Sequence, residues 1–140
     1  MTTQHVLIID DEPDIRELLE ITLIRMGLDT ESAESLAQAK NYLLDQQFDL
    51  CLTDMNLPDG NGMELVAHIQ AQYPKLPVAM ITAHGNMESA VEALKAGAFD
   101  FVSKPIHLEL LRNLVDTALN LEPLDSIKPS IQVLSLLGET

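Results

Sequence analysis

The stretch His5-Val6-Leu7-Ile8-Ile9-Asp10-Asp11-Glu12-Pro13 holds an unbroken apolar run, then acid, then a proline. A run without polar alternation marks a strand covered on both faces. Pro13 suits the first position of a helix, where a backbone N–H has no partner to lose. Ile15, Leu18, Leu19, Thr22, Leu23 and Met26 follow at helical spacing, and Gly27 is a natural stop. A buried strand feeding an amphipathic helix is the start of a parallel βαβ unit.

The pattern recurs outward from there. Further short runs are Leu28–Ser32, Leu50–Thr53, Val78–Thr82 and Phe99–Val102. Leu28–Ser32 is the polar one and belongs at an edge. Helical stripes lie between them: Leu36, Ala39 and Leu43; Leu65, Val66 and Ile69, ending before Pro74; Met87, Ala90, Val91 and Leu94, ending at Gly97. A fifth helix near His107–Leu121 is apolar on more than one side. Leu108, Leu111 and Val115 can face the sheet, which leaves Leu110, Leu114 and Leu121 to cover something else. Right-handed crossovers leave few topologies for such a chain. The expected fold is α/β: a doubly wound, five-stranded parallel sheet of order 2-1-3-4-5 in a flavodoxin-like three-layer sandwich.

The chain has 140 residues and 46% apolar content, enough for one domain with a real core. With no Trp, three Phe and two Tyr, that core is aliphatic. From about Glu122 the periodicity stops, and Pro123 and Pro129 punctuate the remaining segment. The expected division is a domain over 1–122 and an interdomain linker over 123–140, cut short before a further domain. A net charge of −14, without a basic stripe, argues against direct nucleic-acid binding by this domain. No apolar run approaches the ~20 residues of a membrane span, and no secretory signal opens the chain. A cytoplasmic location is the expectation. Cys51 is alone in an apolar run and reads as a buried, inert thiol.

Function in an open parallel sheet gathers at the carboxyl ends of the strands. The first strand ends in Asp10-Asp11, the third in Asp54, the fourth in Thr82 and the fifth in Lys104. In the order 2-1-3-4-5 those strands are neighbours. Three carboxylates, a hydroxyl and an ammonium then converge. Mutually repelling carboxylates favour a bound dication, and all-oxygen ligands point to Mg²⁺. Asp10, Asp11 and Asp54 could ligate it directly or through water, and the Asn56 backbone carbonyl could complete the set. Such a site neutralises an incoming phosphoryl group, and Lys104 and Thr82 can stabilise it from other sides. A carboxylate nucleophile that becomes an aspartyl-phosphate is established chemistry. Each residue also has an ordinary reading: Asp10 and Asp11 as helix caps, Asp54 as a turn former, Thr82 as a strand-end hydroxyl, Lys104 as a solvated charge. All four would have to coincide at adjacent strand ends. Phosphate-binding glycine loops and nucleophile-elbow motifs are absent, and His5, His68, His84 and His107 lack zinc-ligand spacing.

These residues carry a resemblance. From about Gln4 to Glu122 the chain resembles the receiver domain of bacterial two-component response regulators. The matching segments are Ile9-Asp10-Asp11-Glu12-Pro13, Leu52-Thr53-Asp54-Met55-Asn56-Leu57-Pro58-Asp59-Gly60, Ile81-Thr82-Ala83 and Ser103-Lys104-Pro105. The resemblance implies that Asp54 accepts phosphoryl from a sensor histidine kinase, with Mg²⁺ on Asp10, Asp11, Asp54 and the Asn56 carbonyl. It implies that Thr82, Ala83 and Lys104 contact the phosphoryl group and that the Lys104–Pro105 bond is cis. It implies a switch in which Thr82 moves toward the phosphoryl group and Phe101 turns inward, altering the face of the fourth helix, fifth strand and fifth helix. That face is expected to form a homodimer. Phe101 stands where the family often has Tyr, so no ring hydroxyl is available here. Asn56 and His84 flank the path of attacking water and are expected to tune phosphoryl lifetime. The chain assists its own phosphorylation but is not read as an enzyme.

A narrower likeness lies in Ala79-Met80-Ile81-Thr82-Ala83-His84-Gly85 and Gly97-Ala98-Phe99-Asp100-Phe101. These resemble receivers of sigma-54-dependent transcription activators, of the type that regulates type IV pilus genes. Leu137-Gly138-Glu139-Thr140 resembles the start of the ATPase domain that follows in them. The alternatives are a stand-alone signalling receiver and a hydrolase or phosphatase of similar fold. A flavodoxin-like electron carrier fails on its acidic first loop, where a cofactor phosphate would sit.

Overall fold

In a computed structural model, which describes residues 3–83 and 87–120, each of the five short runs becomes a strand of one sheet. The elements are β1 (His5–Ile9), α1 (Pro13–Arg25), β2 (Asp29–Ala33), α2 (Leu36–Asp45), β3 (Leu50–Asp54), β4 (Asn56–Leu57), β5 (Gly60–Asn61), α3 (Gly62–Gln72), β6 (Val78–Thr82), α4 (Met87–Ala96), β7 (Asp100–Ser103) and α5 (Leu108–Leu119). The main sheet is parallel throughout, in the order β2-β1-β3-β6-β7. This is the expected 2-1-3-4-5, because β4 and β5 form a separate antiparallel pair. Leu121, His84 and the 123–140 segment lie outside the described residues.

Strand residues alternate between two cores. Leu7, Ile9, Cys51, Val78 and Met80 join α2, α3 and α4 on one face. Val6, Ile8, Leu50, Leu52, Ala79 and Ile81 join α1 and α5 on the other. Both faces are covered, which is why the runs lack polar alternation. Each large side chain so buried contributes about 1.5–3 kcal/mol. Cys51 is fully buried and its thiol is pushed up by that burial, consistent with an inert sulfur.

Three expectations needed correction. The second strand starts one residue later than expected, so Leu28 packs beneath the sheet while Ala33 closes the buried end. The last strand is likewise shifted by one, to Asp100–Ser103. Leu114 is buried with Leu111, Val115 and Ala118, because three- and four-residue steps keep these on one helix face. Among the described residues, Leu110 alone of the expected outer set faces outward, 60% exposed.

Candidate acceptor site at the carboxyl ends of the strands

β1, β3, β6 and β7 bring their final residues to one edge. Asp10 is fully buried, and its backbone N–H is tied to the Ala33 carbonyl at 3.0 Å. Its Oδ1 accepts from the Glu12 amide at 2.9 Å, while Arg16 Nη1 donates to its carbonyl at 2.7 Å. The helix-cap reading of the acidic pair does not hold: the N-cap of α1 is Glu12, with no side-chain cap bond. Asp54 ends the fully buried β3 and is 6% exposed. Lys104 Nζ donates to Asp54 Oδ2 at 3.3 Å and stands 3.3 Å from Asp10 Oδ2 and 3.6 Å from Glu12 Oε2. The Lys104–Pro105 peptide is cis.

Two buried polar atoms lack a hydrogen bond among the described residues, Asp10 Oδ2 and Thr82 Oγ1. Lys104 approaches Asp10 Oδ2 closely enough for charge attraction but without hydrogen-bond geometry. Buried unpaired polar atoms of this kind commonly mark ligand sites. Asn56 and Ala83 are exposed at the rim, and half-buried Phe101 packs against the core beneath α2, α3 and α4.

Burial raises the Asp10 carboxyl to about 6, with Asp54 adding to the effect and Lys104 opposing it. Burial also raises Asp54, against the pull of Lys104. Burial alone would lower Lys104, but Asp10, Asp54 and Glu12 together outweigh it and raise the ammonium. A stability cost results for the protein without divalent cations. The folded state holds the Asp10 proton more tightly than the unfolded chain, whose value is near 3.8. The cost is absent below the unfolded value, grows as pH rises through this window and is complete above about 6. Asp10→Asn should therefore unfold at higher urea than the wild type at pH 7 in EDTA. The advantage should vanish below about pH 4, and an equal midpoint at pH 7 would refute it.

Asp10, Asp11 and Glu12 each place a carboxylate oxygen within 4.8 Å of the others. This all-oxygen set, with an unpaired buried oxygen on Asp10, suits a hard cation. The triplet contains Glu12, the third acid in succession, which the sequence reading left out; Asp54 joins it through Lys104. Three other residues escaped that reading. Arg16 holds the Asp10 carbonyl. Gly62 lies so close to the acceptor that an added Cβ would sit 2.1 Å from the Asp54 carbonyl oxygen. Asp59 accepts from the Leu36 and Ala37 amides at the start of α2, at 2.8 and 3.0 Å.

Residues 6–116 match the family model described as the response regulator receiver domain. The chain belongs to that family. Among curated relatives of this receiver is the response regulator protein PilR of Pseudomonas aeruginosa, 56% identical over 140 residues, all of this chain and 31% of PilR. The chain thus spans less than a third of that relative's length, and transcriptional regulators are among its further relatives. This agrees with the narrower resemblance drawn from the fourth and fifth strands. The crystal structure of the receiver domain of NtrX from Brucella abortus is 36% identical with a TM-score of 0.80, covering 84% of this chain and 99% of that one. The solution structure of the beryllofluoride-activated NtrC4 receiver domain dimer is 31% identical with a TM-score of 0.78, covering 82% and 95%. Among the described residues, no helix is long and apolar enough to cross a membrane.

Proposed function

We propose that this receiver takes a phosphoryl group on Asp54 from the phosphohistidine of a sensor histidine kinase. The observation that carries the reading is the Asp54 carboxylate itself, nearly buried, hydrogen-bonded to Lys104 and set beside Asp10. An Asp54 oxygen attacks phosphorus, the phosphorus–nitrogen bond breaks, and the departing imidazole takes up a proton. Lys104 neutralises charge on the transferred group, and Thr82 Oγ1, otherwise unpaired, donates to one of its oxygens. Asp10, Asp11, Asp54 and the Asn56 carbonyl would hold Mg²⁺, with Glu12 close by; bound there, the ion offsets phosphoryl charge. Ala83 lies at the same rim and offers its amide.

Phosphorylation draws Thr82 toward the new group, and Phe101 turns inward with it. The face of α4, β7 and α5 changes as a result. Met87, Val91, Leu94 and Leu110 leave that face apolar and exposed, which supports homodimer formation there. The beryllofluoride-activated NtrC4 receiver is itself a dimer. Asn56 and His84 set the lifetime of the phosphoryl group. Residues 1–122 act as the receiver and 123–140 as a linker to an output domain of a sigma-54-dependent activator, working in the cytoplasm. A hydrolase would need a substrate pocket at Asp54. A groove lined by Gln4, Phe48, Tyr73, Phe99 and Leu119 opens at the amino ends of the strands, away from Asp54.

The test is intact mass after incubation with acetyl phosphate and Mg²⁺. The wild type should gain about 80 Da, one phosphoryl group, and Asp54→Asn should not. No adduct on the wild type, or equal adducts on both, would sink the proposal.

A further inference from the structure

We infer that Asp59 is a positioning residue for the acceptor site, clamping the loop that carries the Asn56 carbonyl onto the amino end of α2. The inference rests on the phospho-acceptor reading above and assigns it a second support. Asp59 reaches back 23 and 22 residues to the Leu36 and Ala37 amides, one carboxylate oxygen to each. Those amides are orphan donors of the first helical turn, and the helix dipole adds to their pull on a carboxylate. Next to them Ser35 Oγ accepts from the Gln38 amide, and the Gln38 side chain accepts from the Glu34 amide just before the helix. Asp59 therefore completes the end of α2 from a distant loop.

The same loop is braced by shape. A Cβ on Gly60 would come within 2.6 Å of Leu36 Cδ1, so the turn lies directly on the first residue of α2. Leu57 and Leu36 share one core cluster. In the short β4–β5 ladder, Asn56 faces Asn61 and Leu57 faces Gly60. Only Leu57 and Pro58 separate Asn56 from Asp59. On its other side the loop is held to α3, where Asn61 and Glu64 form a reciprocal cap and the Gly62 amide donates to the Met55 carbonyl at 2.6 Å. The loop that carries Asn56 is thus held between two helices. Asp59 is the polar fastening on the α2 side.

A plain helix cap would stabilise α2 and do nothing more. Two variants of the 140-residue chain separate the roles. Asp59→Ala frees the loop, whereas Ser35→Ala uncaps the same helix and leaves the loop fastened. Mg²⁺ is titrated into each unphosphorylated protein, followed by amide chemical shifts, with urea unfolding measured alongside. Both variants should lose stability. Asp59→Ala should bind Mg²⁺ about tenfold more weakly, the scale set by outer-shell partners of metal ligands. Ser35→Ala should bind as the wild type does, and Asp59→Asn, which keeps one acceptor oxygen, should fall between. Wild-type affinity in Asp59→Ala, or equal weakening in Ser35→Ala, overturns the inference. Should Asp59→Ala not fold, wild-type affinity in Asp59→Asn overturns it as well. A wild type that takes phosphoryl while Asp59→Ala binds Mg²⁺ normally removes the inference alone. A wild type that neither binds Mg²⁺ nor takes phosphoryl removes the reading beneath it too.

Discussion

Lys104→Met should accept phosphoryl from acetyl phosphate about 10²- to 10³-fold more slowly than the wild type, the loss typical when one preorganised charge donor is removed. Lys104 is the cation that meets both buried carboxylates, 3.3 Å from Asp54 Oδ2 and 3.3 Å from Asp10 Oδ2. Methionine keeps the unbranched apolar stem as far as Cε and removes the charged amino group. The same change should cost stability at pH 7 in EDTA, on the order of 1–3 kcal/mol. That is below the ~3–5 kcal/mol of a fully buried pair because Lys104 remains 20% exposed. The direction with pH depends on the two kinds of group. The raised Lys104 ammonium contributes fully below its unfolded value of 10.5, hence throughout the acid and neutral range. Its contribution would fade only as pH rises through the still higher folded value. Without it, Asp10 and Asp54 rise further, and protonation relieves their repulsion as pH falls. The stability deficit of the variant should therefore narrow between pH 7 and pH 4.5. A deficit that widens in acid, or a wild-type rate of phosphorylation, would contradict the charge-clasp account.

Gly62→Ala should damage the site from the other side. Helix propensity taken alone favours alanine over glycine by about 1 kcal/mol. Here the new Cβ would sit 2.1 Å from the Asp54 carbonyl oxygen and 3.2 Å from Met55 Cα. Those are backbone atoms and cannot swing away. Either α3 retreats or the end of β3 does. Overpacking costs about 1–3 kcal/mol, and a clash with main chain belongs at the upper end. A shift of about 1 Å in a reacting group costs roughly 10² in rate. The variant should unfold at lower urea and take phosphoryl about a hundredfold more slowly. Alanine tolerated on both measures would show that the contact between α3 and β3 yields easily.

The strands and the convergence at their tips were legible in the chain because a two-sided sheet writes itself as unbroken apolar runs. Asp10, Asp54, Thr82 and Lys104 each close such a run, so topology alone brings them together. The β4–β5 pair was not legible. Two-residue strands inside a turn carry no period to read. Glu12 was legible in principle, as the third acid in succession, but it follows the strand tip by two residues more than Asp10 and so does not close the run itself. Asp59 gave no local sign of its role, since its partners lie more than 20 residues earlier and are backbone amides, which any sequence supplies. Leu114 was misplaced for a different reason. On a helix with apolar residues on several sides, pattern alone does not say which of them meets the sheet.

The two separate cores have a further consequence. Phe101 leans on the core shared by α2, α3 and α4, while α1 and α5 close over the other. Under the proposed switch, a signal relayed through Phe101 would reach the core of α2, α3 and α4 first. On the other side of the sheet α5 belongs to the switching face and α1 does not, so α1 is the helix there that could keep its shape whatever the state of Asp54. A donor that recognises α1 would meet the same surface before and after transfer, and the readout surface would be free to diverge among relatives without disturbing that recognition. The sheet, in that sense, would stand between α1 and the part of the readout face that α4 supplies.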